Sequence, residues 1–388
     1  MVEILSDYII IIFLERKNLI MRIAHTESSF HMGGQELRIL DQIQWLLNKG
    51  HSAWLLAHKD SAIYEEAIHR GIPTHHVPFR GSAHPHALFE IVQFVKQKRI
   101  QLIDCHSSSD ACTAIAAKLF RIPIVRTIHV YEFKTDLIHK YLLRYGTNHI
   151  VVVSKTIADM IVMFGFADRQ KISVIPTGID LDRFNPDIDG CSIRKEFNIA
   201  GNTKVISMIG MIRPGKGQKF FISAVDRIAD IRPDVWFLIV GSATEPKYLE
   251  YIKKEIAAIR HRNRIILTGF RHDVEKVIAA SDMIVDTCFS EPMSQVIHQS
   301  FAMKKLVVAG DSDGHLATVR HGKTGFLFRS ADVESFTKTV IPALGNNTQK
   351  IREQAYLKAF SELGINTMME KTLNIYRTIL QTKKPLLP

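Results

Sequence analysis

The chain has 388 residues, of which 46% are hydrophobic and 23% charged, a composition typical of a folded globular protein and not of a disordered one. This length exceeds what one ordinary core holds and predicts two domains. The four cysteines contain no CxxC pair, so neither a disulfide framework nor a cysteine metal site is indicated, and a reducing cytoplasm is expected.

The formal net charge of +11 is distributed unevenly. Residues 1–200 hold 23 Lys and Arg against 21 Asp and Glu, whereas residues 201–388 hold 27 against 18. The excess is scattered through the second half, which suits a phosphate-bearing small ligand as well as DNA. No aromatic-basic motif supports nucleic acid as a partner.

An apolar run (YIIIIFL, residues 8–14) stands near the start and is followed by three charged residues. About 20 apolar residues are needed to cross a bilayer, and no small-residue cleavage site follows. Met21 then begins a good strand pattern. We expect residues 1–20 to be an extension, or a misassigned start, and Met21 to be the natural start. The alternative is that residues 1–20 contain a short membrane-contacting segment.

From Met21 onward, short apolar runs alternate with amphipathic stretches. One such stretch, Gln35–Lys49, has its apolar residues on one face and a stop signal in Gly50. The predicted strands of this half are Met21–Thr26, Ser52–Ala57, Leu102–Cys105, Pro123–Thr127, Ile150–Val153 and Ser173–Pro176. The alternation predicts a doubly wound α/β domain over residues 21–185.

A polar stretch then interrupts the pattern and predicts a linker over residues 186–203. A second α/β domain follows over residues 204–365. Its predicted strands are Lys204–Ile209, Val235–Gly241, Arg264–Thr268, Met283–Asp286, Lys305–Ala309 and Gly325–Phe328. Residues 366–388 comprise a helix, Asn366–Leu380, expected to cross back to the first domain, and a tail. A ligand is expected in the cleft between the carboxyl ends of both sheets.

The segment SEPMSQVIHQSFAM, residues 290–303, contains the strongest site signal. It predicts a turn at Glu291 that leads into a helix beginning near Met293 or Ser294, and the first backbone N–H groups of this helix form a ready anion site. Glu291 at its mouth can accept hydrogen bonds from sugar hydroxyls, and the amide of Gln299 can donate and accept. A capped helix without a ligand is the simpler alternative for this segment by itself.

Three further patterns follow predicted strands. GMIRPGKG, residues 210–217, is a glycine-rich turn in which Arg213 and Lys216 supply positive charge for a phosphate. The turn GGQE, with Gly33 and Gly34, permits a close approach to the backbone. His129 stands at the carboxyl edge of its strand, and His106 has the same placement with a weaker claim.

In order and spacing, these segments resemble the GT4 family (group 1) of retaining glycosyltransferases, which have the GT-B fold of two Rossmann-like domains facing across a cleft. The stretch over residues 151–186, with its VIPTGIDLDRFNP, resembles the end of the family's first domain. GMIRPGKG resembles the family's GRl.x.KG loop, and residues 290–328 resemble its EX7E region with the following HG.tG.l. The closest subgroup likeness is to bacterial surface-polysaccharide and lipopolysaccharide transferases.

The resemblance implies the roles of individual residues. Lys216 would neutralise the donor diphosphate, against which Gly33 and Gly34 would lie. Glu291 would contact the donor sugar, and His129 would sit near its reactive face. The remaining donor contacts would be the backbone of Ser294, Gln295 and Val296, the side chain at Gln299, and Arg213. The family generally uses no catalytic metal and no cofactor beyond the nucleoside-diphosphate sugar itself, in agreement with the missing metal spacing.

Two positions depart from the family pattern. Gln299 stands where the second glutamate of the EX7E motif is usual, which keeps hydrogen bonding to a ribose and removes the charge. Met211 stands where a phosphate-binding arginine is usual, and Arg213 would replace it. The expected activity is sugar transfer to a glycan or lipid-linked acceptor. A nucleotide-sugar 2-epimerase and a catalytically impaired nucleotide-sugar-binding protein are the alternatives.

The expected location is the cytoplasm. A lipid-linked acceptor would in addition imply peripheral contact with the inner face of the cytoplasmic membrane. The stretch Lys134–Arg144 is amphipathic and basic. It suits either such a contact or a plain helix facing the core. The sequence leaves the nucleotide base, the sugar and the acceptor open.

Overall fold

The computed structural model describes residues 20–79, 84–107, 118, 121–131, 137–345 and 347–382. The apolar run over residues 8–14, Cys112, residues 134–136 of the basic stretch and the tail beyond residue 382 lie outside the described residues. Among the described residues, two separate sheets form, and every strand pairs with parallel neighbours. The predicted fold class, two doubly wound α/β domains, is confirmed.

The first half of the chain is built on a seven-stranded sheet with the order β3-β2-β1-β4-β5-β6-β7. Its strands are β1 (Arg22–Thr26), β2 (Ser52–Ala57), β3 (Thr74–His76), β4 (Leu102–Cys105), β5 (Ile124–Ile128), β6 (His149–Val152) and β7 (Ile172–Val174). The strand order reverses between β1 and β4, so the crevice at their carboxyl ends is where an open α/β sheet binds ligands.

The helices of this half are α1 (Gly34–Asn48), α2 (Ala62–His69), α3 (Pro85–Lys98), α4 (Leu137–Tyr141) and α5 (Lys155–Met163), and α4 continues into a π-helical turn over Leu142–Gly146. Helix α1 shows the cause of this arrangement, because its fully buried Leu40, Ile43 and Leu46 lie on one face. At its start, the carboxylate of Glu36 accepts the N–H of Gly33 at 2.9 Å.

The second half has a six-stranded sheet with the order β10-β9-β8-β11-β12-β13. Its strands are β8 (Lys204–Ile209), β9 (Val235–Val240), β10 (Ile265–Gly269), β11 (Met283–Asp286), β12 (Leu306–Gly310) and β13 (Phe326–Phe328). Its helices are α6 (Cys191–Glu196), α7 (Gln218–Ile231), α8 (Pro246–Ala258), α9 (Val274–Ala280), α10 (Gln295–Ala302), α11 (Asp313–Thr318), α12 (Val333–Gly345) and α13 (Gln349–Glu362).

Residues 186–203, expected as a polar linker, contain helix α6 and pack on the second sheet's layer of helices. Ile193 is buried in an apolar cluster with residues of β8, β9 and α9. The guanidinium of Arg194 donates to the carbonyl of Ala280 at 3.1 Å and to Asp282 at 3.0 Å. A helix of six residues has too few turns to produce a periodic apolar pattern, so the sequence did not reveal it.

The last helix, α14 (Ile365–Thr382), follows the second domain in sequence but lies on the first. Its buried side chains Met368, Leu373 and Tyr376 join the apolar cluster beneath α1 and β1. The hydroxyl of Tyr376 donates to the fully buried Asp104 at 2.5 Å. The helix therefore ties the end of the chain to the strand β4 at the centre of the first sheet.

Strand β3 is the one element of the two sheets that the sequence did not predict. It has only three residues, Thr74–His76, all half-buried, at the edge of the sheet. Neither continuous apolar burial nor a clear alternation marks such a strand, because polar side chains are tolerated at an edge.

We predict that Gly190→Ala destabilises the protein, because a Cβ at Gly190 would lie 2.2 Å from the backbone nitrogen of Ala280. The cost of such overpacking is about 1–3 kcal/mol, measured as the free energy of unfolding in urea. Gly201→Ala is the matched control in the same segment, since nothing lies within 4 Å of its added Cβ. Equal stability of the two variants would contradict the packed arrangement of this segment.

Candidate active site

The glycine-rich loop over residues 210–217 connects β8 to α7 and brings Lys216 beside the end of β11. Gly217 has a φ of +86°, and a Cβ there would lie 2.2 Å from the carbonyl oxygen of Thr287. Only glycine combines this left-handed conformation with so close an approach of two backbones. The contact sets Lys216 against the turn that follows β11.

Lys216 forms an ion pair with Glu291, the residue that the sequence placed at the mouth of the site. The two side chains are only 21% and 15% exposed, so the pair is largely shielded from water. Burial opposes the charged ammonium, but Glu291, Cys288 and Asp286 outweigh it and raise the pKa of Lys216 above its ordinary value. A permanent cation therefore stands at the tip of the glycine-rich loop.

A second charged pair lies behind the first. The Nε2 of the fully buried His315 is 3.2 Å from Asp286 Oδ2, and its Nδ1 donates to the carbonyl of Gly310 at 2.9 Å. Burial disfavours the imidazolium, but Asp286 outweighs it and raises the pKa of His315. Burial likewise opposes the carboxylate of Asp286, and His315 and Lys216 hold its pKa below the usual range.

Helix α10 begins within one or two residues of its predicted start near Met293 or Ser294. Its first residue is Gln295, and Ser294 caps it by accepting the N–H of Ile297 on its hydroxyl at 3.4 Å. Glu291 therefore lies in the preceding turn and not in the helix. The N–H groups of Gln295 and Val296 have no acceptor within the helix, and the dipole makes this end partially positive. An acidic side chain, a cation and open backbone donors thus converge at one turn.

The first domain reaches this turn through its Gly33–Gly34 loop. A Cβ at Gly33 would lie 3.0 Å from the terminal methyl of Met211, and one at Gly34 would lie 3.4 Å from the side chain of Gln295. The side-chain amide of Gln295 donates to the carbonyl of Gly34 at 2.7 Å. The three glycine-rich and helix-start segments singled out in the sequence therefore meet between the domains.

Two further contacts close the same cleft. Met293, from the turn before α10, packs in an apolar cluster of the first domain, and its sulfur accepts the N–H of Thr177 at 3.1 Å. Across from it, burial and then the negative charges of Asp313 and Glu291 together raise the pKa of Tyr131 to about 12. Tyr131 is thus close enough to Glu291 to sense its charge, and it lies two residues after His129.

His129 belongs to a row of three buried histidines at the carboxyl edge of β1, β4 and β5. Its Nε2 lies 3.1 Å from His106 Nδ1, and His106 Nε2 lies 3.1 Å from His25 Nδ1. Burial lowers the pKa of His25 to about 3 and the pKa values of His106 and His129 well below the usual range, so all three are neutral at pH 7. We call these residues the histidine row.

Asp104 lies beneath the histidine row. It accepts hydrogen bonds from Thr127 Oγ1 at 2.8 Å and from Tyr376, and burial raises its pKa to about 6. Although the sequence spacing suggested no metal site, the ligand atoms of His25, Asp104 and His106 lie within 4.8 Å of one another. These groups also hydrogen-bond one another and their neighbours, and among the described residues only the buried Nε2 of His25 in this set has no hydrogen-bond partner.

Two glutamates hold the Gly33–Gly34 loop from below. Glu27 accepts the N–H of Ser29 at 2.7 Å and the amide of Gln35 at 2.5 Å. Burial, and then the neighbouring Glu27, raise the pKa of Glu36 to about 7. The loop is therefore supported by buried carboxyl groups of the first domain, which leaves its glycines facing the second.

The structure separates the remaining predicted residues by exposure. Arg213 is exposed on the glycine-rich loop, and its side chain forms no ion pair with any described residue. Gln299 is half-buried, one turn into α10. His129 lies on the first-domain wall, and Lys216, Ser294 and the Glu291 turn form the opposite wall.

The sequence missed the Asp286–His315 pair, His25 and Asp104. Asp286 ends a predicted strand, and the same carboxyl-edge argument that singled out His129 applies to it. His315 and Asp104 offered no comparable signal. A histidine inside a six-residue helix and an aspartate within a buried strand become site residues only through the neighbours that folding supplies.

Two family models match the chain: Glycosyltransferase Family 4 over residues 32–183, and Glycosyl transferases group 1 over residues 191–359. The two matches cover most of both domains and divide within the segment that joins them. The chain belongs to the group 1 glycosyltransferases, as the sequence motifs indicated. It is a glycosyltransferase by family.

Among known proteins, UDP-Gal:α-D-GlcNAc-diphosphoundecaprenol α-1,3-galactosyltransferase of Escherichia coli is 25% identical over 269 residues, which are 66% of this chain and 69% of that protein. Among solved structures, a glycosyltransferase from Rickettsia africae has a TM-score of 0.84 at 22% identity, covering 94% of this chain and 100% of its own. Anabaena HepE in complex with UDP and glucose has a TM-score of 0.82 at 22% identity, covering 92% and 99%. The predicted GT-B fold is confirmed.

None of the described helices is both long enough and apolar enough to span a lipid bilayer.

We predict that His315→Gln loses stability most strongly on the acid side. Because Asp286 raises the pKa of His315 in the folded state, the pair stabilises the fold fully below pH ~6.5, the ordinary histidine pKa, and this contribution is lost as the pH rises through the folded-state pKa. The free energy of unfolding in urea, measured from pH 5.5 to 9, should therefore differ between the variant and the parent chiefly at low pH.

The control is the same substitution in an Asp286→Asn background. Without the carboxylate, the difference between histidine and glutamine should lose this pH dependence. A pH dependence that persists there would assign it to some other group.

Proposed function

We propose that this protein moves a sugar, as a hexosyl group, from a nucleoside-diphosphate sugar to a hydroxyl of a glycan or lipid-linked acceptor, with retention of anomeric configuration. One observation carries the proposal: Lys216 and Glu291 pair at the open N-terminus of α10, directly against the Gly33–Gly34 loop of the facing domain. A cation and free amides suit a diphosphate, and the carboxylate beside them suits sugar hydroxyls. The names of two similar proteins support the proposal. The Escherichia coli relative is named as a galactosyltransferase with UDP-Gal, and the HepE structure is described as a complex with UDP and glucose.

The proposed reaction breaks the bond between the anomeric carbon and the diphosphate oxygen, and the electron pair leaves with the phosphate. Lys216, Arg213 and the amides from Ser294 to Val296 stabilise that charge. The acceptor oxygen forms the new bond on the same face, and its proton passes to the departing phosphate. Closure of the two domains excludes water that would hydrolyse the donor.

We further propose that no divalent metal takes part in this step. The positive charge that a metal supplies elsewhere is provided here by Lys216 and by the helix end. His129 would face the reacting sugar from the first-domain wall, and Gln299 would hold the ribose. Turnover that is unchanged after EDTA treatment is the expected result, and loss of turnover restored by Mg²⁺ would contradict this part of the proposal.

For the acceptor, we propose a lipid-linked glycan of cell-surface polysaccharide or lipopolysaccharide synthesis, reached at the inner face of the cytoplasmic membrane. The related Escherichia coli enzyme is named for an acceptor linked to diphosphoundecaprenol. A surface of this chain supports such a location. Leu137, Tyr141 and Tyr145, on and after α4, are 83%, 65% and 59% exposed. Met163 and Phe164, which are 72% and 46% exposed, precede Gly165, whose carbonyl accepts from Arg144 of the same segment.

Cations crowd around these apolar side chains. Arg144 NH1 donates to the carbonyl of Gly165 at 3.3 Å, Lys118 Nζ to that of Tyr145 at 2.5 Å, and Lys171 Nζ to that of Arg144 at 2.5 Å. Burial, followed by repulsion from Lys118, lowers the pKa of Lys171 to about 8. Exposed apolar groups set among mutually repelling cations suit the surface of an anionic lipid bilayer.

We predict that Lys216→Ala weakens binding of the donor nucleotide about 10–100-fold, the value of a lost charge-assisted contact. The measurement is the thermal shift produced by UDP, GDP and ADP and by their sugars, because a bound donor stabilises the folded state by mass action. Glu291→Gln should leave UDP binding intact, since it frees Lys216 from its partner, while transfer of the sugar falls.

Lys219→Ala is the matched control, because Lys219 lies three residues away, exposed, above the ring of Tyr251. Full donor turnover by Lys216→Ala would contradict the assignment. Conversion of the donor without any acceptor would favour an epimerase. Nucleotide binding without transfer to any acceptor would favour a binding protein, in agreement with the departures from the family pattern at Met211 and Gln299.

We predict that Leu137→Ser with Tyr141→Ser weakens sedimentation with phosphatidylglycerol vesicles about tenfold or more, because two apolar anchors are lost. The control replaces Leu357 and Phe360 by serine, since these are comparably exposed on the second domain. Equal loss in both variants, or equal binding to phosphatidylcholine vesicles, would contradict the proposed surface.

A further inference from the structure

The histidine row has a property that its single members lack. Each neutral imidazole has one N–H and one lone pair, so the two hydrogen bonds of the row must run in the same direction. If His106 donates from Nε2 to His25, its Nδ1 is a lone pair and His129 donates from Nε2. If His25 donates, the whole row reverses and His129 accepts on Nε2.

The direction of the row decides whether the remaining ring nitrogen of His129 can donate or accept a hydrogen bond. Its Nε2 is used within the row, so Nδ1 is its other polar atom. In the first direction Nδ1 is a lone pair that can accept a hydrogen bond. In the reversed direction Nδ1 is an N–H that can donate one. The protonated position on the His129 ring therefore depends on His106 and His25, which are buried behind it.

Asp104 distinguishes the two directions. Its Oδ1 lies 3.8 Å from His106 Nε2, the nitrogen that also faces His25. A negative carboxylate favours an N–H at that position over a second lone pair. Thr127 and Tyr376 both donate to Asp104, which stabilises its ionised form. The first direction is therefore the favoured one.

We propose that Asp104, His106 and His25 are positioning residues that hold His129 in its Nε2-protonated neutral tautomer and so reserve its Nδ1 lone pair for a hydroxyl of the sugar substrate. The substrate half of this inference rests on the proposed function. The tautomer itself is a property of the free protein and is independent of it.

A metal ion bound by His25, Asp104 and His106 is the competing use of the same side chains. The charges around the set disfavour it, since Arg38 and Arg126 are both buried and near enough to shift the pKa values of Asp104 and His106. Two fixed cations oppose a third in a medium of low dielectric constant. The hydrogen-bonded row accounts for the same geometry without added charge.

The direct experiment is long-range ¹H–¹⁵N NMR of the free, full-length protein with ¹⁵N-labelled histidine at pH 7.5. The His129 signals are assigned by their loss in His129→Asn. The expected pattern is that of an imidazole protonated on Nε2 and not on Nδ1. An Nδ1-protonated ring, an imidazolium, or a divalent metal present in stoichiometric amount by elemental analysis would overturn the proposal.

The kinetic experiment compares two variants of His106. In His106→Asn, the amide oxygen occupies the place of Nδ1 and can still accept from His129, whereas His106→Leu offers no acceptor. We expect His106→Leu to lower kcat roughly 10–100-fold, the scale of a misplaced catalytic group, with the donor KM nearly unchanged, and His106→Asn to recover most of the loss. Equal losses in the two variants would overturn the positioning role.

The failures of the two proposals remain distinguishable. An Nε2-protonated His129 whose replacement leaves transfer unaffected would remove His129 from the proposed function while the tautomer assignment stands. Transfer that depends on His129 in a protein whose ring is protonated on Nδ1 would leave the proposed function intact and reject this inference.

Discussion

The ion pair between Lys216 and Glu291 is the interaction on which the second-domain wall of the cleft depends. It joins the loop after β8 to the turn after β11, two segments that are neighbours only because their strands pair in the sheet. The tight approach at Gly217 brings the loop close enough, and the buried Asp286–His315 pair lies beneath it. The cation and the anion of this pair neutralise each other, so under the proposed function a diphosphate would compete with Glu291 for Lys216.

The first-domain wall presents neutral imidazoles that are joined by hydrogen bonds, with the buried carboxylate of Asp104 behind them. Its histidine row spans three neighbouring strands, and Asp104 connects it to the last helix through Tyr376. That helix follows the second domain in sequence, so the contact of Asp104 with Tyr376 forms only when the last helix has packed on the first domain. The two walls thus have different chemistry, one charged and suited to phosphate, the other neutral and suited to hydroxyl groups.

Much of the fold followed from the sequence because strand burial leaves a strong local pattern. Strands β2, β4, β8 and β11 have the predicted bounds, and other strands shift by only a residue or two at their ends. Strand β3 and helix α6 were not predicted, because each is too short and too polar to show a periodic pattern of apolar residues. The start of α10 lies at Gln295, one or two residues after the predicted Met293 or Ser294, because the cap at Ser294 depends on a side-chain hydrogen bond that residue type alone does not locate.

The sequence by itself determined the family, the two α/β domains and the segments that meet in the cleft, because glycine-rich turns and strand ends are marked by local residue patterns. The tertiary structure decided which side chains act on one another there. The pairing of Lys216 with Glu291, the donation from Gln295 to Gly34 and the histidine row join residues that are between 23 and 261 positions apart. No local pattern encodes such contacts, since they arise only where folding brings the carboxyl ends of different strands, and of the two sheets, together.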